Sequence, residues 1–133
     1  MVLATLFAAL LASSCATRPA DIPYDITAME LIQRGQEASD RNRFSLALQF
    51  YAEVLERFPF DTSSVIAAEY EIAFIHYKQR RYDMAKADFN HILERYNTPD
   101  EALLPPQFKI LSQIVLARID DIESGGRRRV IAW

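Results

Sequence analysis

The amino-acid sequence predicts an all-α fold built from helical hairpins, and three observations support this prediction. Residues 43–58, RFSLALQFYAEVLERF, have a near copy 38 residues downstream at 81–96, RYDMAKADFNHILERY. Within each copy the apolar residues recur at intervals of three and four, which is the period of one helix face. Glycine occurs only 3 times in 133 residues, and runs of β-branched residues are few, which favours helices over a sheet.

The composition is that of one ordinary globular domain. Half of the residues are apolar and a quarter are charged. Because the net charge is −3, no general attraction to nucleic acid is expected. The single cysteine, Cys15, excludes an internal disulfide framework.

The first residues have the pattern of a targeting segment. No charged residue occurs before position 18, and residues 2–12 form an uncharged, mostly apolar run. Eleven residues are too few to cross a bilayer, which takes about 20 in a helix, but they suit the apolar region of a signal peptide. The sequence LASSC that follows resembles the lipidation motif of bacterial lipoproteins, which implies cleavage before Cys15 and acylation of its sulfur. We therefore predict a signal peptide at 1–14 and a lipidated tether at 15–25; an ordinary secretory signal or a truncated anchor are the alternatives.

The first predicted hairpin begins with clear helix-start signals. Thr27 can cap a helix and Glu30, three residues later, completes a capping box, while Ile26 and Leu31 suit a hydrophobic staple. This helix is predicted to run to about Ser39. The short segment DRNR then leads into the helix of the first copy.

The second hairpin and a final helix follow the same logic. A helix is predicted from about 65 to 78, followed by KQRR and the helix of the second copy, while FPFDTSS and NTPDEALLPP separate the units. A last helix starts near Pro105 or Pro106 and is predicted to cover the exposed side of the second hairpin. Its apolar stripe is Phe108, Leu111, Val115, Ile119 and Ile122. The glycines after Ser124 are predicted to end it, which gives a helical domain at 26–123 and a basic tail at 124–133.

The spacing of small and aromatic residues resembles the tetratricopeptide repeat (TPR). Small residues stand at Gly35 and Ala73, and alanines at Ala47 and Ala85. The aromatic positions are Phe44, Tyr51, Tyr82 and Phe89, and Pro59 follows the first unit. The resemblance implies a right-handed α-solenoid of two TPR-like hairpins plus a closing helix. The longer linker between the units is similar to that of the D-component lipoproteins of the outer-membrane β-barrel assembly machinery. That likeness implies a place on the periplasmic face of the outer membrane and a role in assembling its proteins.

No pattern of catalytic residues is present in the sequence. His76 and His91 are fifteen residues apart without partners at metal-ligand spacing, and they are expected to be structural or solvated. Glycine-rich phosphate loops and nucleophile motifs are missing. We therefore expect no enzyme activity, no cofactor or metal and no small-molecule substrate.

The candidate site is a binding surface instead. The TPR resemblance implies that the first helix of each hairpin lines a concave face that binds a protein or peptide partner of the envelope. By this resemblance, the residues expected on the concave face are Met29, Ile32, Gln36, Tyr70, Phe74 and Tyr77, and Lys109 and Gln113 are expected to extend the groove. Because aromatic anchors dominate binding energy, the three aromatics suit a peptide groove; the alternative is that the closing helix folds back over them.

Two roles remain open from the sequence. In the first, the chain is a membrane-anchored, non-catalytic interaction module, attached through acylated Cys15. In the second, it is a structural scaffold subunit that oligomerises through the aromatic helix face. The three arginines at 127–129 could contact anionic lipid or an acidic partner, or they could be a solvated tail.

Overall fold

A computed structural model describes the backbone of residues 21–130 and the side chains of residues 21–125. Five α-helices and one 3-10 helix make up this part of the chain, and it contains no β-strand, so the predicted all-α class is confirmed. The α-helices are α1 (Ala28–Asp40), α2 (Phe44–Arg57), α3 (Thr62–Lys78), α4 (Tyr82–Arg95) and α5 (Pro106–Val130). The 3-10 helix, Pro99–Leu103, lies between α4 and α5.

Side-chain caps determine where α1 and α3 begin. The backbone N–H of Thr27 donates to Glu30 at 2.9 Å and that of Glu30 donates to the Thr27 hydroxyl at 3.2 Å, so the predicted capping box is confirmed. Helix α3 begins three residues before the predicted position of about 65, at Thr62. The cause is Asp61, whose carboxylate accepts a hydrogen bond from the N–H of Ser64 at 3.2 Å.

Two connections of three residues make helical hairpins of α1 with α2 and of α3 with α4. Asn42 and Arg80 adopt left-handed φ angles of 57° and 59° in these turns. The N–H of Arg43 then donates to the Ala38 carbonyl, and the N–H of Arg81 donates to the His76 carbonyl, both at 2.9 Å. The first helix of each hairpin, α1 or α3, therefore ends in the same way.

Each hairpin packs on the element that follows it. Helix α3 contacts both helices of the first hairpin, and α5 contacts both helices of the second. Helix α3 consequently contributes to two core clusters: Ala68 and Ile75 pack with the first hairpin, while Ile66 and Ala73 pack with α4 and α5. A helix buried on two sides shows that the hairpins are stacked against each other.

Helix α5 differs from its prediction in two respects. It does not end at the two glycines but continues to Val130, so its predicted end near residue 123 is wrong. Glycine in a helix costs only about 1 kcal/mol relative to alanine, which is no stop signal by itself. In addition, Leu111 and Ile122 are exposed, whereas Ser112 is fully buried beside Val115 and Ile119. No helix within residues 21–130 has the length and apolar character needed to cross a membrane.

Candidate functional site

A groove runs between α1 and α3 and reaches the start of α5. It contains two adjoining pockets, which we name by their walls, and Gln36 lines both. The apolar pocket, about 270 Å³, has Met29, Ile32, Ala67 and Phe108 among its walls. The polar pocket, about 290 Å³, is lined by Gln36, Ser39, Asp40, Tyr70, Glu71, Phe74 and Lys78.

The α1 residues selected from the sequence lie together in this groove. Met29 is 68% exposed at the rim, Ile32 is buried in the floor, and Gln36 is exposed where the two pockets meet. Their spacing of three and four residues places them on one face of α1. An incoming segment could therefore contact an apolar floor and a polar amide on the same helix.

The aromatic residues of α3 divide between core and groove. Tyr70 is only 8% exposed, and its ring lies 5.6 Å from that of Phe89 and 5.4 Å from that of Phe108. The closing helix thus covers Tyr70, as the alternative interpretation expected. Phe74 is half-buried and stacks on Tyr70 at 5.9 Å, with one side on the polar pocket.

The remaining predicted groove residues lie elsewhere. Tyr77 is half-buried and stacks on Phe74 at 5.6 Å, but it lines neither pocket. The ammonium of Lys109 is bound by Glu101 and lies 6.0 Å from the centre of the Tyr96 ring, so its predicted place in the groove is wrong. Gln113 is exposed on α5, also outside both pockets. Phe108 and Gln107 are the α5 residues that line the groove instead.

The polar pocket holds a hydrogen-bonded set of charged and amide groups. The side-chain amide of Gln36 donates to Glu71 Oε1 at 2.8 Å, which joins α1 to α3. Lys78 donates from Nζ to the Ser39 hydroxyl at 3.0 Å, and its Nζ lies 3.9 Å from Asp40. The same ammonium is 5.2 Å from the centre of the Phe74 ring, within the range of a cation–π contact.

A buried hydroxyl lies next to this pocket. Tyr51 of α2 is fully buried, and its phenol makes no hydrogen bond of standard geometry with any of residues 21–125. Burial raises the pKa of Tyr51 well above its ordinary value, and the nearby carboxylates of Glu71 and Asp40 add to this effect. The hydroxyl is therefore a neutral group that faces negative charge.

Sequence reasoning missed the polar side of the groove. Glu71 and Lys78 are not among the predicted groove residues, although Ala67, Glu71, Phe74 and Lys78 follow the four-three-four spacing of one helix face. That spacing was the available signal. The contribution of Asp40 and Ser39, at the end of α1, depends on how α1 packs on α3 and has no local signature.

Other candidate groups lie outside the groove or outside the described residues. His76 is 9% exposed and its Nδ1 lies 2.6 Å from Asp88 Oδ2, which links α3 to α4. Among the described residues, no group of three or more His, Cys, Asp or Glu side chains is placed to hold a metal ion. Cys15 and the side chains of the arginines at 127–129 lie outside the described residues.

The comparisons with known proteins assign no family to the chain. An uncharacterized protein of Treponema pallidum (strain Nichols) is 37% identical over 108 residues, which is 80% of this chain and 43% of that protein. The chain thus spans less than half the length of the relative that it matches. No protein-family model matches the sequence, and no solved structure matches it significantly.

Proposed function

We propose that the chain is a non-catalytic interaction module that holds a segment of a partner protein in the groove between α1, α3 and α5. The observation that carries this proposal is the pair of adjoining pockets, one with apolar walls and one with charged and amide groups. Peptide grooves combine such features, because apolar anchors supply binding energy and a few polar groups select register and orientation.

The proposal also rests on a TPR-like arrangement, which is supported by the burial of equivalent residues in the two copies. Ala47 and its equivalent Ala85 are both fully buried, and so are Tyr51 and its equivalent Phe89. The aligned residues therefore occupy matching buried environments. In a right-handed α-solenoid of such hairpins, the first helices form the inner face, and α1 and α3 line the groove here. Helix α5 then takes the place of the first helix of a further unit.

A lipid anchor would confine this groove to a membrane surface. The motif before Cys15 supports acylation at this residue, and a diacyl or triacyl anchor holds a domain more firmly than a single chain does. The proposed setting is the periplasmic face of the outer membrane, with assembly of outer-membrane proteins as the role that the D-component likeness suggests. Metabolic labelling with palmitate tests the anchor: the wild-type chain should incorporate it and Cys15→Ala should not.

Photocrosslinking in cells that express the chain natively tests the groove. A photoreactive residue at Met29 or Gln36 should capture the same protein, through one short segment of it, because both positions face the groove. Asn90, exposed on α4, is the matched control and should not capture it. Capture of that protein equally from all three positions, or from none, would contradict the proposal.

A scaffold role is the second candidate, and one observation favours it. Ile110, Ile114 and Ile122 on α5 are 56%, 54% and 43% exposed, a stripe that an antiparallel second copy of α5 could cover on both chains. The interface would then be α5 rather than the aromatic face, since Tyr70 is already buried within the chain. Sedimentation of the full chain decides: a dimer that Ile114→Glu dissociates would support the scaffold role, and a monomer would reject it.

A further inference from the structure

The polar pocket has a carboxylate without a cation. Glu71 is half-buried and accepts a hydrogen bond from Gln36, but no lysine, arginine or histidine nitrogen of residues 21–125 lies within 4.0 Å of it. A partly buried carboxylate gains more from a positive partner than an exposed one does, because water screens the pair less. Glu71 therefore gives the groove an unmet preference for positive charge.

Lys78 shows how a positive group fits this pocket. Its ammonium contacts three groups at once: the Ser39 hydroxyl, the Asp40 carboxylate and the face of the Phe74 ring. These are the contacts that a lysine or arginine side chain of a ligand would need. The lysine is held only loosely by charge, since Asp40 is 3.9 Å away and its side chain is 81% exposed.

Glu71 also lies close to a buried phenol, that of Tyr51. The residue is fully buried, and its hydroxyl interacts with Glu71 as a hydrogen-bond donor of non-standard geometry, while Asp40 adds a second negative charge nearby. A neutral hydroxyl does not offset the charge of a carboxylate, so Glu71 keeps its preference for a positive group.

We propose that the polar pocket binds a lysine or arginine side chain of the partner segment, between Glu71, Asp40 and the Phe74 ring, while a neighbouring apolar side chain fills the pocket at Met29 and Ile32. This inference rests on the proposed function and states the chemistry of the partner. The ligand's cation takes the position of the Lys78 ammonium, so Lys78 competes with it. With two carboxylates and one ammonium, the walls carry an excess of negative charge that disfavours an acidic segment.

Two peptide libraries presented to the full-length chain test this proposal. Both consist of ten-residue peptides with one fixed leucine; the first carries a fixed arginine or lysine two to four residues away, and the second carries glutamate there. The basic library should be enriched about tenfold over the acidic one, as expected for a charge-assisted contact. Met29→Glu should reduce the binding of either library, which shows that the peptides occupy the groove.

Variants of the pocket then separate the roles of its charges. Glu71→Gln should weaken binding of the enriched basic peptides about tenfold, and Asp40→Asn, at an exposed side chain that tolerates the change, should weaken it less. Lys78→Gln should strengthen binding, because it removes the competitor. Glu56→Gln, exposed on α2, is the matched control and should bind as wild type does.

The outcomes distinguish this inference from the proposed function. Enrichment of the acidic library, or loss of binding in Lys78→Gln, would show that Lys78 binds an anion and would overturn the proposal. So would basic peptides that bind Glu71→Gln and Asp40→Asn as tightly as wild type. Peptides that depend on Met29 without any charge preference would overturn only this inference, whereas binding that is insensitive to Met29→Glu would overturn the groove as well.

Discussion

The two hairpins solve the same packing problem with different pairs of residues. In the first, Gly35 of α1 faces Tyr51 of α2 so closely that a Cβ at Gly35 would overlap Cε1 of that ring. In the second, the equivalent positions are Ala73 and Phe89, both fully buried. The first pair thus exchanges a methyl group on α1 for a hydroxyl on α2. A methyl group at position 35 would meet carbons of the Tyr51 ring, so the ring occupies the space that a side chain on α1 would need.

The arginines at the ends of α2 and α4 also differ in their hydrogen-bond acceptors. Arg57 donates to the carbonyl oxygens of Pro23, at 3.2 Å, and of Tyr24, which fixes the segment before α1. Arg95, the equivalent residue, donates instead to Glu69 Oε1 at 2.5 Å within its own hairpin. In the first hairpin this arginine therefore binds the segment that precedes α1. In the second hairpin the equivalent arginine joins α4 to α3.

The largest expected difference between the hairpins concerns the small residue. Gly35→Ala should destabilise the chain by about 1–2 kcal/mol, because the cost of overpacking exceeds the gain in helix propensity. Ala73→Gly, the reverse change in the second hairpin, should cost about 2 kcal/mol, because helix propensity and a fully buried methyl group are both lost. Urea unfolding followed by circular dichroism measures both.

A double variant sharpens this prediction. Combining Gly35→Ala with Tyr51→Phe reproduces the residue pair of the second hairpin, so the cost of the alanine should fall when the hydroxyl no longer limits movement of the ring. An equal cost of Gly35→Ala with tyrosine or phenylalanine at position 51 would mean that the close contact does not determine this interface.

The turns provide a smaller difference. Arg80 and Asn42 share left-handed φ angles of 59° and 57°, but asparagine tolerates this conformation better than arginine. Arg80→Asn should therefore stabilise the chain by about 0.5–1 kcal/mol. Gln79→Asn, one residue earlier at a φ of −78°, is the matched control and should give no gain. A thermal midpoint that rises for neither variant, or for both, would contradict the assignment of strain to Arg80.

The sequence predicted these repeats well because their signals are local. The capping box at Thr27, the small residues at Gly35 and Ala73, and the three-four stripes each depend on neighbours in the same hairpin. The sequence does not single out Asp61 as a cap, because FPFDTSS has the composition of a linker, and two glycines wrongly predict the end of α5 because glycine is tolerated within a helix. The polar pocket and the direction of Lys109 depend on packing between units, which no single stretch encodes.

The helix caps give the smallest effect, and it depends on pH. Hydrogen bonds from the N–H and hydroxyl of Thr27 lower the pKa of Glu30 below its ordinary 4.5. Those from the hydroxyl and N–H of Ser64 lower the pKa of Asp61 below 3.8. A lowered pKa in the folded state means that the stabilisation is complete above the unfolded value and is lost as the pH falls through the folded one.

Amide variants of these two carboxylates test the caps. Glu30→Gln and Asp61→Asn should be slightly less stable than wild type near neutral pH, with the difference shrinking as the pH falls below about 4. Glu56→Gln, which alters no cap, should show no such convergence. Urea midpoints measured from pH 3 to 7 provide the comparison, and a difference that grows toward low pH would have the wrong sign.

The central claim is that the stacked hairpins leave one face, between α1 and α3, available to a partner. The methionines report on it directly, since Met29 lies in the groove and Met84 lies on α4 away from it, 68% and 41% exposed. In the full chain labelled with ¹³C at the methionine methyl groups, titration with an enriched basic peptide should shift or broaden the Met29 methyl signal and leave that of Met84 in place. A peptide that binds while moving only Met84, or both signals equally, would contradict the claim.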